Sequence, residues 1–189
     1  MLTKPGSRSH PETVASVLTE HLFGDLPLRI AVFSDTHLAD TAEARAFLLG
    51  LVNNVIDPVD MILHAGDVVA PDLLDVFEEY TVHSVRGNMD PIAPGIPVKK
   101  VIDVQGFKIG LIHGWGPAEG IEERIYSEFS QCSLDCLVYG HSHVPVCHER
   151  HGVLFFNPGS ATDRRNMSCH TIGLLEIDKK IRGTIFRLD

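Results

Sequence analysis

The sequence predicts an α/β fold: a two-sheet β-sandwich flanked by helices. Three observations predict it. From residue 28 to about residue 86, apolar strand-like runs alternate with helical patterns in the order β-α-β-α-β, which gives parallel strands joined by right-handed crossovers. After about residue 130 the helical patterns stop and short strands separated by turn residues continue, so the second half is expected to add antiparallel strands. A chain of 189 residues is one domain with at most a small appendage, and it buries roughly 70% of its unfolded surface, enough for a core without staples.

The elements follow in order. Residues 1–28 form an N-terminal helical extension to a domain over 29–189. Ser9-His10-Pro11-Glu12 matches a capping box with proline where a helix tolerates it, and Val14, Val17, Leu18 and Leu22 recur at helical spacing before Gly24. This helix is expected to pack on the domain or on a partner subunit, so a homo-oligomer is one expectation. Leu28 to Phe33 is a short continuous apolar run, the pattern of a strand buried on both faces. Asp40-Thr41-Ala42-Glu43 starts a helix that runs to Val55 and ends at Asp57-Pro58. Val59 to His64 is a second strand, Pro71 to Tyr80 a second helix, and Thr81 to Arg86 a third strand. Val98 to Val104 and Phe107 to His113 form a hairpin around Gln105-Gly106. A helix from Ala118 to about Phe129 and a strand from Leu134 to Tyr139 come next. The rest alternates strands, at Val144–Cys147, Val153–Phe156, Cys169–Ile177 and Ile181–Arg187, with turns such as Asn157-Pro158-Gly159-Ser160.

Composition narrows function by exclusion. The chain is 44% hydrophobic and 22% charged, which argues against disorder. Its net charge is −9 and it has no basic run, so nucleic-acid binding through the phosphate backbone is not expected. Cys132, Cys136, Cys147 and Cys169 form no C-x-x-C pair and read as reduced thiols of a cytoplasmic protein. Met1 to His10 is polar, so no signal peptide is expected, and no stretch approaches the ~18 apolar residues that cross a bilayer.

The chemistry sits where strands end. The first strand ends in Asp35-x-His37, the second in Gly66-Asp67, and the third in Gly87-Asn88. The hairpin ends in His113-Gly114 and the following strand in Gly140-His141-Ser142-His143. Chance explains one strand end with a metal-capable side chain easily and five in succession poorly. Glycine beside such a residue lets the backbone turn sharply and bring the ligand close. Open α/β sheets place their ligand sites at these ends.

The ordered set D-x-H, G-D, G-N, H-G and G-H-x-H resembles the calcineurin-like metallophosphoesterases over about residues 29–189. It is most similar to the small phosphodiesterases without a cap domain, the group that includes the Vps29 retromer subunit. The resemblance implies two divalent ions, one held by Asp35, His37, Asp67 and His143 and the other by Asp67, Asn88, His113 and His141, with Asp67 bridging. Mixed imidazole and carboxylate donors suit Mn, Fe, Zn or Ni, manganese first among them, whereas an all-oxygen Ca or Mg cage needs no histidines. The implied reaction is hydrolysis of a small phosphodiester by in-line attack of a metal-bridging hydroxide, with Asn88 also hydrogen-bonding the phosphate. A phosphomonoesterase and a Vps29-like protein-binding scaffold are the alternatives.

Many members of this family carry histidine after Gly-Asn, where it is thought to protonate the leaving group. Here Met89 stands in that place and has no proton to give. Asp90 reads as an orienting carboxylate or an ordinary turn residue. His64 reads as a packed histidine, Trp115 as packing or as a wall of the substrate cleft. Arg164 and Arg165 read as loop residues, with a reach to a substrate phosphate as the functional alternative.

Overall fold

The computed structural model describes residues 26–189, and the helix expected between Ser9 and Gly24 lies outside them. Among the described residues, ten strands make two five-stranded sheets. The first sheet runs β10-β9-β1-β2-β3, where β1 is Leu28–Phe33, β2 Met61–His64, β3 Thr81–Ser84, β9 Thr171–Ile177 and β10 Ile181–Arg187. The second runs β4-β5-β6-β8-β7, with β4 Lys99–Val104, β5 Phe107–Ile112, β6 Cys136–Val138, β7 Val146–Arg150 and β8 Val153–Asn157. This is the expected sandwich.

Strands β1, β2 and β3 are parallel, as the alternation predicted. The second half departs from expectation. Strands β9 and β10 are antiparallel, but β6 is parallel to both β5 and β8. The helix α2, Ile121–Ser127, provides the crossover that makes β5 and β6 parallel. The β7–β8 hairpin then folds back so that β8, not β7, lies beside β6. Gln105 and Gly106 both have left-handed φ, 49° and 83°, as a two-residue hairpin turn requires.

The helix α1, Ala42–Leu51, begins where Thr41 accepts a hydrogen bond from the Ala44 amide and continues into one π turn over Val52–Ile56. The second expected helix is a 3₁₀ helix, Pro71–Phe77, without a side-chain cap at its start. Its Leu73 and Phe77 are still buried, so the apolar spacing served packing rather than an α-helix. Strands β3, β5 and β6 stop one or two residues before their expected carboxyl ends, where the chain leaves the ladder toward the site.

Alternate residues of β1 face two cores. Ile30 and Val32 point between the sheets with Leu63, Ile109, Leu111, Val138 and Phe156. Ala31 and Phe33 point outward under α1 and the 3₁₀ helix. Phe33 stacks on Phe77 with centroids 5.7 Å apart, and truncating such a buried ring to alanine costs about 3–5 kcal/mol. A third cluster packs α2 on the outer face of the second sheet through Ile121, Ile125, Leu137 and Phe155. The two sheets are thereby fixed face to face, and the loops at one end of the sandwich meet.

Candidate metal centre

Every residue expected at the site follows a strand at that end. Asp35 and His37 follow β1, Asp67 follows β2 and Asn88 follows β3, all in the first sheet; His113 follows β5, and His141 and His143 follow β6, in the second. Five of the seven are brought into two overlapping groups, Asp35–His37–His143 and Asp35–Asp67–His113, whose ligand atoms lie within 4.8 Å of one another. Asp35 is common to both groups. Asp67 also spans them, with its Oδ2 3.3 Å from His113 Nε2 and 3.7 Å from His37 Nε2. Asn88 and His141 stand to one side and face each other, His141 Nδ1 lying 3.0 Å from Asn88 Oδ1.

The hydrogen bonds around the imidazoles say which nitrogens face the centre. His113 Nδ1 donates to the Ala65 carbonyl at 2.7 Å, which leaves a lone pair on Nε2. That Nε2 is buried and, among the described residues, has no hydrogen-bond partner; Asp67 Oδ2 at 3.3 Å is not aligned for one. His143 Nδ1 donates to the Asp163 carbonyl at 2.5 Å, so its Nε2 also faces inward, 3.3 Å from both His37 Nε2 and Asp35 Oδ1. His141 Nε2 donates to the Gly116 carbonyl at 2.9 Å, which turns the Nδ1 lone pair toward the Asn88 oxygen. Lone pairs that face one another, each ring oriented by a backbone carbonyl behind it, are what metal-ligating histidines present.

The charges are mutually adjusted. Burial raises the Asp35 carboxyl, but His143, His113 and the Ser34 hydroxyl at 2.5 Å outweigh it and hold Asp35 below the ordinary range. Asp67 is likewise held down against its burial, by His113 first and by the Met89 amide that donates to its Oδ1 at 2.7 Å. Burial lowers His113 and His143, yet Asp67 beside the first and Asp35 beside the second leave both above the usual imidazole value. Both carboxylates are thus ionised, and protons and cations compete for the histidines. The donor set fits a divalent metal: carboxylates ionised, imidazole nitrogens aimed inward, and one buried nitrogen without a partner.

The backbone is bent to achieve this. Asp35, His37, Asp67, His141 and His143 all have left-handed φ, between 46° and 68°, and so does Val69 at 75°, an unusual place for a β-branched residue. Two glycines are required by close approach. A Cβ on Gly87 would lie 2.1 Å from Asp67 Oδ1, and one on Gly140 would lie 1.7 Å from Ser34 Oγ.

Asp90 does what an orienting carboxylate should. Its Oδ2 accepts from the Asp67 amide at 2.8 Å and the Gly87 amide at 2.7 Å, and its Oδ1 from the Val69 amide at 2.7 Å, so one side chain ties the β2 and β3 loops together. His64 is a packed histidine, as expected. It accepts from the Gly66 amide at Nδ1 and bonds Thr36 Oγ1 at Nε2, and burial pushes it down to about 4. Arg164 bonds the Met167 carbonyl within its own loop, and Arg165 reaches the His141 carbonyl at 3.4 Å and the Asp163 carboxylate at 3.9 Å. Sequence reasoning missed the role of Asn157. Fully buried, it donates to Gly140 O and Ser142 Oγ and so fixes the loop that bears His141 and His143. It also missed Ser160, which donates to the Asp35 carbonyl at 2.7 Å.

Two mixed sheets with aspartate, asparagine and four histidines at their converging ends define the metallophosphoesterase class. The comparisons agree: residues 28–180 match the calcineurin-like phosphoesterase superfamily domain, and the chain belongs to that family. A probable metallophosphoesterase of Methanocaldococcus jannaschii is 31% identical over 191 residues, 98% of this chain and 94% of that one. The crystal structure of a predicted phosphoesterase from Streptococcus pneumoniae TIGR4 superimposes with a TM-score of 0.68 at 25% identity, covering 85% of this chain and 90% of that one. Wild-type Vps29 from Entamoeba histolytica, complexed with Zn, gives 0.61 at 26% identity, covering 86% and 100%. These relatives support a phosphoesterase hydrolase that binds divalent metal. Among the described residues no helix is long and apolar enough to cross a membrane.

Proposed function

We propose that this protein is a dinuclear metal-dependent phosphodiesterase acting on a small phosphodiester in the cytoplasm, where its four unpaired cysteines stay reduced. Asp35, His37, Asp67 and His143 would hold one ion, and Asp67, Asn88, His113 and His141 the other. The observation that carries this reading is the buried, partnerless His113 Nε2 beside two ionised carboxylates. An unpaired buried polar atom costs about 1–3 kcal/mol, and a cation removes that cost. Manganese is the first choice, with Fe, Zn and Ni behind it. When bound, two divalent ions lower the pKa of a water to near 7 and clamp phosphoryl oxygens.

The chain's own residues do the rest. Exposed Asn88 is placed to orient a phosphoryl oxygen at the rim, and the Asp90 clamp keeps Asp67 in position. The Met89 side chain is 58% exposed beside Asn88 and carries no transferable proton. A general acid typically supplies 10²–10⁴-fold, so the reading favours esters with good leaving groups.

The scaffold alternative draws on the likeness to Vps29, but a Vps29 complexed with Zn shows that such likeness does not exclude metal. Relative rates on mono- and diesters decide between phosphodiesterase and phosphomonoesterase. The central test strips the protein with chelator, restores Mn, and follows bis(p-nitrophenyl) phosphate. Mn is expected to restore hydrolysis in the wild type and not in Asp67→Asn. Equal turnover by stripped wild type, reloaded wild type and Asp67→Asn would sink the proposal.

A further inference from the structure

We propose that the cleft opening from Asn88 and His113 is a subsite for a flat aromatic group of the nucleobase kind carried by the phosphoester, with Trp115 as its platform. The inference rests on the phosphoesterase reading for the position of the phosphate, and it adds a substrate class.

The cleft is lined by Arg86, Asn88, Val98, His113 and Trp115 among others and has a volume of about 230 Å³. Two of those residues belong to the metal-ligand set, so a phosphoester held there directs an organic substituent into this space. Its volume falls below the roughly 300–1,000 Å³ of a pocket that encloses a whole ligand. It therefore suits one group of the substrate rather than all of it.

The walls are chosen for a ring. Trp115 is 43% exposed and Val98 55% exposed, one just after β5 and the other just before β4. An exposed indole in the same cleft as an aliphatic side chain can accept the π-face of a base, a contact worth about tenfold or more in affinity. Arg86 makes no side-chain hydrogen bond or ion pair among the described residues. Its planar guanidinium can stack on a ring or bond its acceptors.

Trp115 is also held firmly. The Arg124 guanidinium donates to the Trp115 carbonyl at 3.1 and 3.0 Å, to the Glu119 carbonyl at 2.9 Å and to the Pro117 carbonyl. The His141 ring holds the Gly116 carbonyl at 2.9 Å. Four carbonyls of one loop are tied down, so the backbone that carries the platform is preorganised and ordering that loop costs little on binding. The net charge of −9 disfavours a polynucleotide, which leaves a small nucleotide ester.

Trp115 is the single tryptophan of the chain, so intrinsic fluorescence reads this cleft alone. With Mn-loaded wild type, adenosine 5′-monophosphate is expected to quench it saturably, while ribose 5-phosphate at equal concentration does not. The kinetic arm compares 2′,3′-cyclic AMP with glycerol 1,2-cyclic phosphate, two esters with the same reacting ring, one bearing a base. Trp115→Ala should raise KM for the first about tenfold more than for the second, and Trp115→Phe should restore most of the difference. Flat fluorescence, with both esters hydrolysed and their KM ratio the same in wild type and Trp115→Ala, overturns the subsite and leaves the hydrolase standing. Saturable quenching in a protein that hydrolyses no phosphoester supports the subsite and refutes the hydrolase.

Discussion

The centre has a floor and a rim, and they are held differently. On the floor, Asp35, Asp67, His113 and His143 are buried, and their carboxylates and imidazoles shift one another's charge. On the rim, Asn88 and His141 are more open, and two acceptors, His141 Nδ1 and Asn88 Oδ1, face each other across 3.0 Å. The floor contains a buried nitrogen that nothing among the described residues completes, whereas the rim's facing lone pairs lie where solvent reaches them. The difference teaches that the floor depends on a cation to complete it, whereas water can stand in for one at the rim.

The comparison is broken or sharpened first by ligand removal. Asp67→Ala should lower metal-dependent hydrolysis by about 10³-fold, the scale of losing several kcal/mol of charge stabilisation, with both ions lost in a metal assay, since Asp67 would be shared by the two. His141→Ala should cost about 10²-fold and remove one ion per chain. Equal metal loss in the two variants would erase the distinction between floor and rim. Next comes the clamp. Asp90→Asn should weaken metal affinity about 10–100-fold, read by competition with a coloured chelator, because an amide accepts less strongly from the Asp67, Gly87 and Val69 amides.

A smaller effect tests the support beneath the floor. His64 titrates near 4 when folded and near 6.5 when unfolded, so the unfolded chain binds more protons between those values. Its contribution to stability is present above pH 6.5 and lost as pH falls toward 4, a loss of about 3 kcal/mol. Urea denaturation across that window should show the slope, and His64→Gln should flatten it. Smallest is Gly140→Ala, whose new methyl meets Ser34 Oγ. It should cost about 1–3 kcal/mol of overpacking in the same assay, and displace Asp35 as it does so.

Much of this was legible in the sequence because ligand type and strand end are local properties. Asp35-x-His37, Gly66-Asp67 and Gly140-His141-Ser142-His143 each combine a strand run, a breaker and a metal-capable side chain within a few residues. The parallel order of β1, β2 and β3 followed from the same local alternation. What stayed hidden depends on tertiary convergence. Asn157 reads as a turn residue, and only the packing of β8 against β6 carries its amide to Gly140 O. Asp90 bonds amides of two loops that no spacing relates. The parallel setting of β6 escaped because one strand of three residues does not announce its neighbours. The 3₁₀ winding of Pro71–Phe77 escaped because Leu73 and Phe77 fit either helix type.

Five of the seven residues at the centre sit in a backbone region that side chains avoid, at a cost of about 1–3 kcal/mol for each such residue. Glycine would occupy those positions without steric penalty, at a smaller entropic cost. A version of this chain with His37 or Asp67 replaced by glycine should therefore resist heat better than the active protein does. Working chemistry and maximal robustness pull this molecule in opposite directions, and selection for endurance alone would tend to disarm it.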